Sequence, residues 1–147
     1  MQLTFIDLFA GAGGLSEGFI KAGYTPIAHV EMKRDACNTL KTRAAFHYLD
    51  ANNRLDIYEN YLRNKQEGTD GSALWNLVSA EVTNKVIQAA IGEDTMPGLI
   101  EQIEQLTGER NLDLIIGGPP CQAYSVAGRA RLGKKVKQDP RNFLYLY

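Results

Sequence analysis

Cysteine, histidine and tryptophan are scarce in this 147-residue chain, at two, two and one. The cysteines, Cys37 and Cys121, stand far apart, and no Cys-x-x-Cys or His-x-x-His spacing occurs. That removes a disulfide framework and the usual zinc arrangements, so no metal is expected. A reducing, cytoplasmic compartment follows from the same usage. Long apolar runs are missing too, since none approaches the ~20 residues that cross a bilayer. Met1 to Asp7 has no basic segment, and Asp7 interrupts its apolar stretch, so no signal peptide is expected. Internal repeats and low-complexity tracts are also absent, which excludes solenoids and long linkers. The remaining composition, 44% hydrophobic and 22% charged, is that of one globular domain with a real core.

Net charge is nearly missing as well, at −1, but it is unevenly spread. Arg129, Arg131, Lys134, Lys135, Lys137 and Arg141 are opposed only by Asp139 between 129 and 141. That segment carries +5 against the total of −1, so the rest of the chain carries −6. A phosphate-rich partner would suit such a loop, and a solvated surface loop is the simpler alternative.

Leu3 to Phe9 reads as a strand ending at Gly11-Ala12-Gly13-Gly14, followed by a helix over Leu15 to Lys21. Leu15, Phe19 and Ile20 are expected on its buried side, with Gly23 just past its end. Pro26 to Val30 is a second strand, and Arg34 to Ala45 a helix burying Ala36, Cys37 and Leu40. About 46–84 reads as a helical insertion, with segments through Leu55-Tyr58-Leu62 and Leu74-Leu77-Val78. Trp75 and the tyrosines at 48, 58 and 61 are assigned to its core. Val86-Ile87 is a third strand, Leu99 to Leu106 a helix, Asp113 to Ile116 a fourth strand, and Arg141 to Tyr147 the start of another helix. Alternating strands and helices predict an α/β fold, a Rossmann-like doubly wound parallel sheet. Ligands of such sheets sit beyond the strands' carboxyl ends where strand order reverses, here expected between the first and fourth strands.

Both expected strand ends carry chemistry. After the first, glycines allow a sharp turn and close approach of a ligand to backbone N–H groups. A dinucleotide fingerprint needs a third glycine where Ser16 stands, so a cofactor without a pyrophosphate fits better. Glu31, closing the second strand, suits the two hydroxyls of a ribose, although capping the next helix is an equal alternative. Met32 could lie against an adenine. After the fourth strand, Gly117-Gly118-Pro119-Pro120-Cys121-Gln122 fixes two φ angles and presents one thiol in a defined direction. A buried structural thiol is the simpler reading of any lone cysteine; with the glycine turn beside it, a nucleophile becomes the better one. Cys37, on a helix's apolar side, reads as packing, and neither His29 nor His47 reads as a base or ligand.

Asp-Leu-Phe-Ala-Gly-Ala-Gly-Gly-Leu at 7–15 together with Gly-Gly-Pro-Pro-Cys-Gln-Ala-Tyr-Ser at 117–125 resembles the DNA cytosine-5 methyltransferase family. Asp139-Pro140-Arg141-Asn142 resembles the helix start after that family's catalytic loop, placed here at about 119–140. The resemblance implies S-adenosylmethionine as cofactor and double-stranded DNA as partner. It implies Cys121 as the nucleophile. It places Phe9, Ala10, Gly11, Gly13, Gly14 and Leu15 along the cofactor, Glu31 on its ribose, and Met32 and Ile91 beside its adenine. Pro119 and Leu144 would close that pocket. Ala90 stands where the family usually has an acid. Gln122 would hold the space left by a flipped base, and Ser125, Arg129 and Arg141 would contact phosphates. Ala123 to Gly128 looks most like the bacterial DNA enzymes, which implies a bacterial cytoplasm.

The family's Glu-Asn-Val and Gln-x-Arg-x-Arg motifs and its target-recognition region do not occur. The chain therefore reads as the amino-terminal part of a catalytic domain that needs the remainder as partner and is inactive alone. A tRNA cytosine-5 methyltransferase of the same fold and a non-catalytic cofactor-binding or partner-binding fragment are the alternatives.

Overall fold

The computed structural model describes residues 2–65 and 69–119. Four parallel strands, β1 (Thr4–Leu8), β2 (Thr25–Glu31), β3 (Val86–Gln88) and β4 (Leu114–Gly117), form one sheet in the order β3-β2-β1-β4. The chain steps outward from β1 to β3 and then returns to the other side of β1, so strand order reverses between β1 and β4. Right-handed crossovers then put α1 (Gly14–Lys21) and α2 (Arg34–Ala51) on one face and α6 (Met96–Thr107) on the other. The core follows this division. Ile6, Ala28, Val30 and Ile87 pack with Leu99, Ile103 and Leu106 of α6, whereas Ala10 and Val86 pack with Cys37 and Leu40 of α2.

The strands are mostly apolar because the inner part of the sheet is covered on both faces, with Asp7, His29 and Glu31 the buried ionisable exceptions. Pro26 is tolerated inside β2 because it lies beside a register shift against β1 and before pairing with β3 begins at His29. Asp113 holds the start of β4 to β1, with its carboxylate accepting from the Thr4 backbone N–H at 2.7 Å. The Thr4 hydroxyl donates to the Asn111 carbonyl at the same latch.

A satellite core joins Ala45 and Leu49 of α2 to α3 (Leu55–Asn64) and α4 (Ser72–Trp75) through Tyr61 and Leu74. The short α5 (Ala80–Thr83) leads into β3. Trp75 seals this unit: its indole N–H donates to Thr42 at 3.2 Å, and the Lys41 ammonium lies 5.3 Å from its ring centre.

Three expectations require correction. The second helix does not stop at Ala45; it runs to Ala51 because Ala45 and Leu49 face the satellite core one turn apart. Leu15 is not on the buried side of α1 but is 48% exposed, and Ser16 is buried instead. Tyr48 is likewise exposed rather than part of the insertion core. The last expected helix, from Arg141, lies outside the described residues. Among the described residues, no helix is long and apolar enough to cross a membrane.

Candidate functional site

The turn after β1 is built from unusual backbone. Phe9 has φ 59°, Gly11 55° and Gly13 85°, a left-handed region that side chains disfavour. Gly13 meets two requirements at once, because a Cβ there would also stand 2.8 Å from Cδ2 of Leu40. Gly11 and Gly14 have open space where side chains would sit. The turn therefore presents bare backbone outward at the start of α1. Leu15 and Met32, both exposed, offer apolar surface near it.

Glu31 fastens the turn from the adjacent strand. Its Oε2 accepts from the Gly11 N–H at 2.9 Å and its Oε1 from the Lys33 N–H at 2.8 Å. The capping alternative is thus half of what the carboxylate does, since Lys33 is the residue at the head of α2. Each oxygen keeps a further lone pair for a ligand hydroxyl. The Glu31 carbonyl accepts from the Ala89 N–H at 3.1 Å and from the Cys37 thiol at 3.2 Å. Burial pushes the Cys37 thiol up, with the Glu31 charge adding to the effect, so Cys37 is a structural donor rather than a nucleophile. Ala90 is exposed and its carbonyl accepts from the Thr95 hydroxyl at 2.6 Å, while Ile91 beside it is half-buried.

β4 brings the second motif to this turn. Leu8 pairs with Gly117, so the two strands end side by side. A Cβ on Gly117 would lie 2.5 Å from the Leu8 carbonyl oxygen, which makes glycine the residue that permits this approach. Pro119 follows, exposed, beyond the sheet. Cys121, Gln122, Ser125, Arg129, Arg141 and Leu144 lie outside the described residues.

Sequence reasoning missed a buried polar chain beneath the turn. Asp7 of β1 accepts from the Ser16 hydroxyl in the first turn of α1. The Ser16 oxygen lies 3.0 Å from Nδ1 of His29 on β2. Asp7 Oδ1 is buried with no hydrogen-bond partner among the described residues. Burial pushes the Asp7 carboxyl up, and the Ser16 hydrogen bonds oppose that rise. Burial, with the positive charge of Lys85 and then His47, pulls His29 down to about 4. His29 is therefore neutral near pH 7. A readable clue was Ser16 itself, a hydroxyl standing where a dinucleotide turn has glycine, above a strand carboxylate.

Outside this region, Glu17 of α1 accepts from Arg43 at 2.8 Å and lies 3.0 Å from His47 Nε2, tying α1 to α2. A cleft of about 440 Å³ between these helices includes Gly13 and Ser16 but not Glu31 or Met32. Among the described residues, no group of three or more His, Cys, Asp or Glu side chains is arranged to hold a metal ion.

A doubly wound sheet with a glycine turn at its reversal and a carboxylate closing the neighbouring strand defines a Rossmann-like nucleotide-cofactor fold. The sequence matches the C-5 cytosine-specific DNA methylases over residues 3–70 and 81–147, and the chain belongs to that family. The unmatched residues 71–80 contain α4. The type II methyltransferase M.Bpa9945I of Bacillus paralicheniformis is 42% identical across 99% of this chain and 36% of its own length. M1.HphI of Haemophilus parahaemolyticus is 30% identical across 99% of this chain and 27% of its own. M.AquIA of Picosynechococcus sp. is 30% identical across 99% and 42%. The chain thus spans well under half of each of these relatives. No solved structure matches it.

Proposed function

We propose that this chain forms the cofactor-binding and nucleophile-bearing part of an enzyme that methylates C5 of cytosine in duplex DNA, using S-adenosylmethionine. The observation that carries the reading is the meeting of the glycine turn, Glu31 and Gly117–Pro119 at the β1–β4 reversal, in a chain of this family. The turn fits this cofactor: open space at Gly11 and Gly14 admits a ligand, and Glu31 retains acceptor capacity for ribose hydroxyls.

S-adenosylmethionine supplies a methyl group made electrophilic by its sulfonium. Phe9, Ala10, Gly11, Gly13, Gly14 and Leu15 line its path, Met32 and Ile91 flank its adenine, and Pro119 and Leu144 close the pocket. Cys121, as thiolate, adds to C6 of a cytosine flipped from the duplex, forming an S–C6 bond. The electron pair displaced onto C5 then takes the methyl group, whose bond to the sulfonium sulfur would break to leave S-adenosylhomocysteine. Loss of the C5 proton and departure of the thiolate restore the ring. Gln122 fills the gap left in the duplex, while Ser125, Arg129 and Arg141 hold phosphates beside the basic segment. The chain spans 36% of the length of M.Bpa9945I, and we assign the groups that bind the base to residues outside the 147 given.

Tritiated methyl transfer from S-adenosylmethionine to duplex DNA tests the reading. The 147 residues joined with the remainder of the gene product should transfer label to C5 of cytosine, and Cys121→Ser should abolish it. Transfer to tRNA alone, or none with the completed enzyme, contradicts it.

A further inference from the structure

The Asp7–Ser16–His29 chain is an expensive thing to bury. Asp7, Ser16 and His29 are 1%, 2% and 5% exposed, and one Asp7 oxygen has no partner among the described residues. Buried polar groups of this kind are costly when incompletely satisfied. With Asp7 ionised, its carboxylate can only accept, which sets the direction of the chain. The Ser16 hydroxyl donates to Asp7, so its oxygen accepts from Nδ1–H of a neutral His29. The positive end of α1 lies above the same carboxylate, because Ser16 is the third residue of that helix. Asp7 is the penultimate residue of β1, and the glycine turn begins two residues beyond it.

We propose that this chain is a charge-holding device: it keeps one carboxylate ionised directly beneath the glycine turn, so that the site favours a cationic sulfonium cofactor over the neutral thioether left after methyl transfer. The inference rests on the cofactor reading given above. S-adenosylmethionine carries one more positive charge than S-adenosylhomocysteine, and that charge lies in the part the transfer consumes. A fixed negative charge below the turn acts on this difference and leaves the shared adenosine contacts untouched. Ser16 and His29 are then positioning residues, acting through Asp7. Removing the Ser16 hydroxyl takes away the hydrogen bonds that oppose burial, so the Asp7 carboxyl moves further up.

Ionisable groups on the surrounding elements include Glu17 on α1, Glu31 on β2, Lys85 ahead of β3, and Arg43 and His47 on α2. β4 contributes none. None of these is hydrogen-bonded to Asp7 among the described residues; His29 reaches it through the Ser16 hydroxyl and is neutral near pH 7.

Calorimetric titration of the full chain with S-adenosylmethionine and, separately, S-adenosylhomocysteine tests this. Asp7→Asn should lower the preference for the sulfonium about tenfold. A tenfold change corresponds to about 1.4 kcal/mol of interaction lost. Ser16→Ala should move the pH at which the preference falls away upward from that of the wild type. Asp7→Asn should stay flat with pH, and Ser16→Thr should retain the wild-type ratio. A purely structural role would weaken both ligands equally, and equal weakening or no change in either variant overturns the inference. Failure of the wild-type chain to bind either ligand overturns the cofactor reading, and this inference with it.

Discussion

Replacing Gly117 with alanine introduces a single methyl group at the place where β4 touches β1. The ideal Cβ would stand 2.5 Å from the Leu8 carbonyl oxygen and 3.3 Å from the Leu8 carbonyl carbon and Cβ. The nearest contact is backbone inside a strand, not the end of a flexible side chain, so it cannot swing away. Either β4 moves outward at its carboxyl end or β1 yields. Overpacking of this kind costs about 1–3 kcal/mol. For a domain of this size, about 2 kcal/mol corresponds to a fall of roughly 4–8 °C in Tm. The displacement matters more than the energy, because Gly117 sets where Gly118, Pro119 and the cysteine after them leave the sheet. Gly118→Ala is the matched control, since nothing lies within 4 Å of its added Cβ. Thermal and denaturant unfolding of both variants, alongside methyl transfer by the completed enzyme, gives the comparison. Gly117→Ala should lose both stability and most of its activity, and Gly118→Ala should keep its stability. Equal behaviour of the two, or wild-type stability in Gly117→Ala, would refute the close approach of β1 and β4.

Three further outcomes follow from the structure. Glu31→Gln turns one of the two oxygens that accept from Gly11 and Lys33 into a donor and should weaken S-adenosylmethionine binding about tenfold, read by calorimetry. His29 has a folded pKa of about 4, below the usual value near 6.5, so the unfolded chain binds the extra proton between these values. Its contribution is complete above about pH 6.5 and falls away toward pH 4, by about 3 kcal/mol; denaturant unfolding should show the slope flattened in His29→Gln. Trp75→Ala deletes the ring that closes the satellite core and should cost about 3 kcal/mol in unfolding, with a smaller effect on cofactor affinity.

The sheet was legible in the sequence because its strands read as short, mostly apolar runs bounded by turn residues. Asp113 to Ile116 was expected where Leu114–Gly117 is found, and Leu3 to Phe9 where Thr4–Leu8 is found. The reversal between first and fourth strands followed from alternation and handedness alone. The length of α2 was not legible, because its two halves answer to different cores: Cys37 and Leu40 face the sheet, Ala45 and Leu49 the satellite unit. No single apolar stripe runs along such a helix. At α1, apolar spacing favoured burying Leu15, but the pairing of Ser16 with Asp7 and His29 turned the helix otherwise. That pairing joins three separate elements, and local pattern cannot reveal it. Glu31 was expected to hold a ribose, whereas its grip on the Gly11 N–H emerged only from the fold.

Covalent trapping tests the central claim most directly. A duplex containing 5-fluorocytosine in the recognised site, given to the completed enzyme with S-adenosylmethionine, blocks the loss of the C5 proton and should hold the enzyme on DNA through Cys121. The account predicts a denaturation-resistant complex that requires the cofactor and disappears in Cys121→Ser. No complex with the wild-type enzyme, or an undiminished one in Cys121→Ser, would contradict it.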